Sequence, residues 1–284
     1  MSYPFLKGHG TENDFVLLPD HDGTVHGDLS ATRVRALCDR RSGLGADGVL
    51  RVIRTAALAG SGSEGSGPEW FMDYRNSDGS LSEMCGNGVR VFALHLVAEG
   101  LVDASRPIEV GTRGGVKTVT VDGDRITVDM GSPQFGEEST VTVAEHTWSA
   151  VNVDMGNPHA VVFVDDLSDA GDLLTAPGHD RDVYPHGVNV EFVVRSGPAH
   201  VAMRVHERGS GETRSCGTGA CAVMVAAALA DDAARGTAYV VDVPGGTLEI
   251  TWTDDDRILM TGPAVIVAQG KTDLGKTDLG KTDL

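Results

Sequence analysis

Met84-Cys85-Gly86-Asn87-Gly88 and Ser215-Cys216-Gly217-Thr218-Gly219 share a Cys-Gly-x-Gly core, and each leads into a run that is apolar on almost every side. The two runs, Gly86 to Glu99 and Gly217 to Asp231, predict helices enclosed by other structure, because a surface helix keeps one polar face. The copies lie nearly half the chain apart, the mark of an internal duplication. Two related halves follow, each with one central helix inside a sheet and with a boundary near Met130 to Pro133.

Short strand signals surround both helices. Asn13 to Leu18, Gly48 to Ile53, Trp70 to Tyr74 and Ile108 to Thr112 are rich in β-formers and bounded by Gly or Asp. Val116 to Val121 and Arg125 to Met130 flank Asp122-Gly123, a hairpin turn. The second half offers Trp148 to Val153, Ala160 to Val164, Val190 to Arg195, Val201 to His206, Ala238 to Val243, Thr247 to Trp252 and Ala264 to Val267. A third helix, Ser30 to Asp39, opens on the N-cap Ser30. The expected fold is a β-rich α/β protein. Ala59 to Pro68 reads as a flexible loop, and Gly270-Lys-Thr-Asp-Leu, repeated three times to Leu284, as a disordered tail.

The chain has 284 residues, with 23 Lys plus Arg against 41 Asp plus Glu and a formal charge of −18. That balance argues against nucleic-acid and anionic-membrane partners, which need clustered positive charge. The longest uninterrupted apolar run, Ala220 to Ala230, is too short to span a bilayer, and the N-terminus has no secretory pattern. Four cysteines in a chain this long do not make a disulfide framework. A cytoplasmic protein is expected.

Two phosphate-loop patterns fail on context. Gly43-Leu-Gly45-Ala-Asp-Gly48 spells the dinucleotide fingerprint, but a helix precedes it and a strand follows, the reverse of the required order. Gly270-x4-Gly275-Lys276-Thr277 spells a Walker A motif with no room for a helix behind it. The Cys-Gly-x-Gly pair is more informative. A cysteine at a helix N-terminus meets the positive end of the macrodipole, which is expected to lower its pKa. The glycines bare backbone N–H groups that a ligand carboxylate can approach. Two such thiols from related halves suggest a cleft with one on each side. Cys38 and Cys221 lack this context and read as core residues.

Zinc sites and disulfide exchange usually pair cysteines a few residues apart, and no Cys-x-x-Cys exists here. Inversion at carbon remains: one group removes a proton from one face while the other delivers one to the opposite face. Pyridoxal phosphate would need a Schiff-base lysine, and outside the tail only Lys7 and Lys117 are left. No cofactor and no metal are expected.

These residues resemble the diaminopimelate epimerase family over Phe5 to about Ala268. The matching stretches are Lys7-Gly-His-Gly-Thr-Glu-Asn-Asp-Phe15, Gly43 to Gly48, Tyr74-Arg-Asn-Ser-Asp-Gly-Ser80 and Glu83-Met-Cys-Gly-Asn-Gly88. They continue with Met155-Gly-Asn-Pro-His159, Gly187-Val-Asn-Val-Glu-Phe192 and Glu207-Arg-Gly-Ser-Gly-Glu-Thr-Arg-Ser-Cys-Gly-Thr-Gly-Ala220. Val91 departs from the pattern, standing where many relatives carry another Cys.

The resemblance implies interconversion of LL- and meso-diaminopimelate, on the route to lysine and peptidoglycan, by a homodimer without pyridoxal phosphate. It implies two pseudo-symmetric domains, residues 1–130 and 131–262, with the substrate between them, a strand near 263–269 returning to the first domain, and a tail at 270–284. Cys85 and Cys216 match the catalytic pair. Asn13, Asn76, Asn157, Asn189, Glu207 and Arg208 match substrate-binding positions, and His159 and Glu207 match residues that tune the thiols. Backbone N–H groups of Gly86-Asn87 and Gly217-Thr218 would take the reacting carboxylate, and Arg208 the distal one. His159 would prepare Cys85, and Glu207 would prepare Cys216. Proline racemase, with Cys-Gly-His-Gly in its first motif, is the rival of the same fold. A thiol redox switch is the rival of another class.

Overall fold

The computed structural model describes residues 2–58 and 67–275. Most of the loop expected at Ala59 to Pro68, and the repeats beyond Gly275, lie outside the described residues. Among the described residues, nineteen strands form one hydrogen-bonded ladder, accompanied by three α-helices. These are α1 (Ala31–Cys38), α2 (Gly86–Ala98) and α3 (Gly217–Ala230). Ser30 caps α1 as its side chain accepts from Arg33 N.

The first half pairs in a fixed order. Tyr3–Gly10 is antiparallel to Asn13–Pro19, which runs parallel to Gly48–Arg54. Trp70–Asn76 then pairs antiparallel to Gly48–Arg54 and parallel to Ile108–Thr112. Antiparallel Gly115–Asp122 and Arg125–Gly131 complete the half, joined by the expected turn at Gly123. The second half repeats the same alternation through His146–Asp154, Pro158–Phe163, Asn189–Gly197, His200–Glu207, Ala238–Val243, Gly246–Trp252 and Ile258–Gly262.

A parallel pair needs a crossover, and the two apolar helices supply one in each half. α2 connects Trp70–Asn76 to Ile108–Thr112, and α3 connects His200–Glu207 to Ala238–Val243. Nine residues separate each helix from the strand before its crossover, Asn76 to Gly86 and Glu207 to Gly217, so Cys85 and Cys216 occupy equivalent places. The Gly43 to Gly48 loop joins α1 to Gly48–Arg54. A Cβ at Gly43 would lie 2.2 Å from Ala36 O, so tight packing of the turn explains that glycine.

The halves are locked by exchange. Arg125–Gly131 pairs antiparallel with Ile258–Gly262. Beyond the first of these, Gln134–Phe135 joins His146–Asp154 of the second half. Beyond the other, Val265–Thr272 returns to Tyr3–Gly10 of the first. One core cluster runs through both halves, with Phe92 and Leu96 of α2 and Met224 and Val225 of α3 fully buried in it. The tail begins differently from expectation. Lys271 and Thr272 extend the returning strand, and Leu274 packs on the cluster beneath α1 while its carbonyl accepts the Tyr3 hydroxyl. The leucine of the first repeat provides an apolar anchor, which a composition-based reading overlooks.

Strand exchange should make the halves unfold together. With Trp148 and Trp252 replaced by Phe, Trp70 reports on the first half; with Trp70 and Trp148 replaced, Trp252 reports on the second. Urea midpoints from the two reporters should coincide. Phe92→Ala in the first half should lower both by the same amount, about 3–5 kcal/mol of stability. Separate midpoints would show that the halves fold independently.

Candidate active site

Cys85 is the N-cap of α2 and Cys216 the N-cap of α3, both with extended backbone. Cys216 is buried, its sulfur 3.4 Å from the Gly219 N–H and 3.5 Å from the Thr218 hydroxyl. Cys85 is half-buried, and its thiol donates to Asn13 Oδ1 at 3.5 Å. Contrary to the expected lowering, both pKa values rise. Burial pushes Cys85 from 9.0 up to about 11, against the lowering by the Gly88 and Asn87 N–H groups, and the Glu207 carboxylate adds to the rise. Burial pushes Cys216 well above its ordinary value, with the Glu207 and Glu191 carboxylates adding to it. Loss of water outweighs the helix ends, so both thiols are neutral near pH 7.

Asn87 joins the two helix starts. Fully buried, its amide donates to Asn13 Oδ1 at 3.2 Å, to Ser215 O at 3.1 Å and to Ser215 Oγ at 3.2 Å. Ser215 also bonds Thr11 at 2.6 Å, and Thr11 accepts from Arg90 at 3.2 Å. Arg90 is itself fully buried, and its other donors reach Pro263 O and Met260 Sδ. Gly86 permits this approach: a Cβ there would lie 2.6 Å from Met260 Cε and 2.9 Å from Met130 Cε. A Cβ at Gly217 would meet Asn87 Oδ1 and Met260 at 3.4 Å. Asn13 is held from behind by Asp47, to which it donates at 2.8 Å. Asn76 closes the same edge, its strand pairing it with Gly48 beside Asp47 while its amide donates to Ser80 Oγ at 3.0 Å.

The second half gathers the remaining candidates at neighbouring strand ends. Asn189 is the ladder partner of His159. It accepts the Arg208 N–H at 2.9 Å and donates to Pro158 O at 3.1 Å. Arg208 is exposed, donates to His186 O at 3.2 Å and has no ion pair among the described residues, which leaves its fork available to an anion. Glu207 accepts from the Thr213 hydroxyl, and burial raises its pKa.

His159 differs from expectation. Its Nδ1 lies 2.6 Å from Glu191 Oε1 and its Nε2 3.1 Å from Asn157 Oδ1. Among the described residues it has no hydrogen bond to Cys85 or to Cys216. Thr11, Ser215, Arg90 and Glu191 are parts of this constellation to which the sequence reading gave no role. For Glu191 a signal existed: it lies two residues from Asn189 on one strand, and so on the same face.

The sequence profile of the diaminopimelate epimerase family matches residues 5–136 and 151–267. The chain is 59% identical over 278 residues to the diaminopimelate epimerase of Streptomyces coelicolor, covering 95% of each. It is 49% identical over 284 residues to that of Rhodococcus jostii, covering 95% of this chain and 96% of the other. A solved hydroxyproline epimerase from Agrobacterium vitis superposes with a TM-score of 0.69 at 13% identity, over 95% of this chain and 92% of that one. That likeness is one of fold.

The raised thiol predicts how Cys85 reacts without ligand. Iodoacetamide alkylation of Cys85, followed by peptide mapping across pH, should titrate with a midpoint near 11. A midpoint at or below 9.0 would mean that the helix terminus outweighs burial after all.

Proposed function

The chain belongs to the diaminopimelate epimerase family, and from that membership we propose that it interconverts LL- and meso-diaminopimelate with Cys85 and Cys216 as the two bases. The supporting observation is geometric. Two cysteines related by the internal repeat cap two helices whose first turns are bridged by Asn87 and Ser215. Inversion needs a base on one face of the α-carbon and an acid on the other. One sulfur, as thiolate, takes the α-proton and becomes a thiol. The opposite thiol gives up its proton and becomes the thiolate, ready for the reverse reaction.

The backbone N–H groups at each helix start suit the reacting carboxylate, where negative charge develops as the α-proton leaves. Asn13, Asn76, Asn157 and Asn189 would read the amino-acid groups, with donor and acceptor on each side chain. Arg208 would grip the distal carboxylate. One proton must leave the resting thiol pair to create the thiolate. Glu207 suits that transfer, because burial raises its pKa and its charge reaches both sulfurs. His159 would be a second carrier.

The proposed chemistry uses no cofactor. Lys7 is paired with Asp14 at 2.6 Å, and Lys117 is directed at Met130 O at 3.4 Å, so neither is placed as a Schiff-base lysine. The proposal includes a homodimer in the cytoplasm. Val265 and Val267, exposed on the returning strand, suit a contact between copies, and the four cysteines are free thiols. No helix among the described residues is long and apolar enough to cross a membrane.

Incubation with LL-diaminopimelate in D2O should give meso product carrying deuterium at the inverted carbon. Cys85→Ala and Cys216→Ala should each lower kcat by at least about 10²-fold, and the double variant should be little worse, because the thiols act as a unit. Arg208→Lys should raise KM through loss of the planar fork. Turnover of proline by the unmodified protein, or a single variant retaining a tenth of kcat or more, would refute the assignment.

A further inference from the structure

Glu191 carries no role in the chemistry above, yet its surroundings are those of a working carboxylate. It and His159 are both 0% exposed, and they meet at 2.6 Å. Burying an ionisable pair this completely is costly unless the geometry is used. The second carboxylate oxygen, Oε2, is buried with no hydrogen-bond partner among the described residues, a further cost that invites a functional account. The carboxylate also packs on the first turn of α3. A Cβ at Gly219 would lie 2.7 Å from Glu191 Oε1, and the Gly219 N–H is the donor to Cys216 Sγ. One carboxylate thus touches both the imidazole and the turn that carries the thiol.

We propose that Glu191 is a positioning residue of the active site, its carboxylate accepting the hydrogen bond of His159 Nδ1–H so that Nε2 alone is left to exchange a proton on the side of Asn157. The proposal rests on the two-thiol reading for its rate effect, though not for its geometry. A carboxylate behind a histidine fixes ring orientation and tautomer. Nδ1–H points at Glu191, and Nε2 lies 3.1 Å from Oδ1 of Asn157, a proposed substrate-binding residue, which accepts whenever Nε2 carries the proton being exchanged. Asn189 and Glu191 point to one face of the same strand. The strand that positions the substrate amide therefore also positions the proton carrier.

Glu191→Gln separates this role from a packing role. Glutamine fills the same volume but can offer an N–H to Nδ1, which drives the ring proton to Nε2, the wrong tautomer. The expected result is a fall in kcat of at least about tenfold with KM within about threefold. Proton NMR of the substrate-free protein supplies a readout independent of substrate. His159 should give a far-downfield Nδ1–H resonance, assigned by its loss in His159→Gln, and Glu191→Gln should abolish it. Gly219→Ala should abolish the resonance too, by pushing the carboxylate off the ring in a helix that alanine otherwise favours; the resonance is its readout, because the new Cβ would also lie 3.3 Å from Cys216 Sγ.

Unchanged kcat in a folded Glu191→Gln variant would overturn the proposal. So would absence of the resonance from the wild type, or its persistence in the variant. If Glu191→Gln does not fold, the wild-type resonance and the Gly219→Ala variant decide the matter alone. If the wild type shows a resonance that Glu191→Gln loses but does not epimerise diaminopimelate, the substrate assignment falls and the positioning role stands.

Discussion

A single buried amide holds the site together. Asn87 extends from the first turn of α2 to the backbone of Ser215, the residue before Cys216, and also bonds Asn13, which accepts the thiol of Cys85. Because the amide is wholly desolvated, leaving its donors unpaired would cost on the order of 1–3 kcal/mol each. The two helix starts are therefore held in one relation, fixing where the sulfurs can sit. The glycines after each cysteine are part of this constraint, since a side chain at Gly86 would collide with Met260 and Met130. They let the helices approach, and their N–H groups lie in the first turns that the proposed reacting carboxylate would meet. One residue type serves both needs.

The fold supplies the symmetry and the surroundings break it. Both halves use the same sequence of strand pairings, with the cysteine helix at the same crossover, and they exchange their closing strands. Around this symmetric frame the charges differ. Cys85 lies on the side of the buried Arg90, which lowers its pKa slightly against burial. Cys216 faces Glu207 and Glu191, which raise its pKa further. Burial raises both thiols, and the charges around them differ. Arg90 suits this arrangement, because burial draws its pKa down to about 10 while the Cys85 thiol raises it.

Much of the frame was legible in the sequence because it is written in local patterns. The repeated Cys-Gly-x-Gly, the apolar runs behind it and Asp122-Gly123 each specify a backbone event, and α2 and α3 begin where the motif places them. The short strands Gln134–Phe135 and Gly178–His179 were not legible, because two residues carry no periodicity. The exchange of Gln134–Phe135 into the second half is a long-range pairing with no local signature. Glu191 stood inside a quoted motif without a role, because its partner His159 comes from another strand and meets it through parallel pairing.

The sign of the thiol pKa shift shows where such reading stops. A cysteine at a helix N-terminus gains about 0.3–1 kcal/mol for its charged form from the macrodipole, and up to about 2 where partly buried. Moving Cys85 from 9.0 to about 11 disfavours the thiolate by about 3 kcal/mol net, so desolvation must exceed the helix contribution. The helix term is visible in the residues before and after Cys85. The rise depends on burial and on the Glu207 carboxylate, which is far from Cys85 in the chain. A sequence thus reveals the favourable term first, and only the assembled fold reveals which term wins. In this protein the outcome keeps both thiols protonated near pH 7 in the absence of ligand.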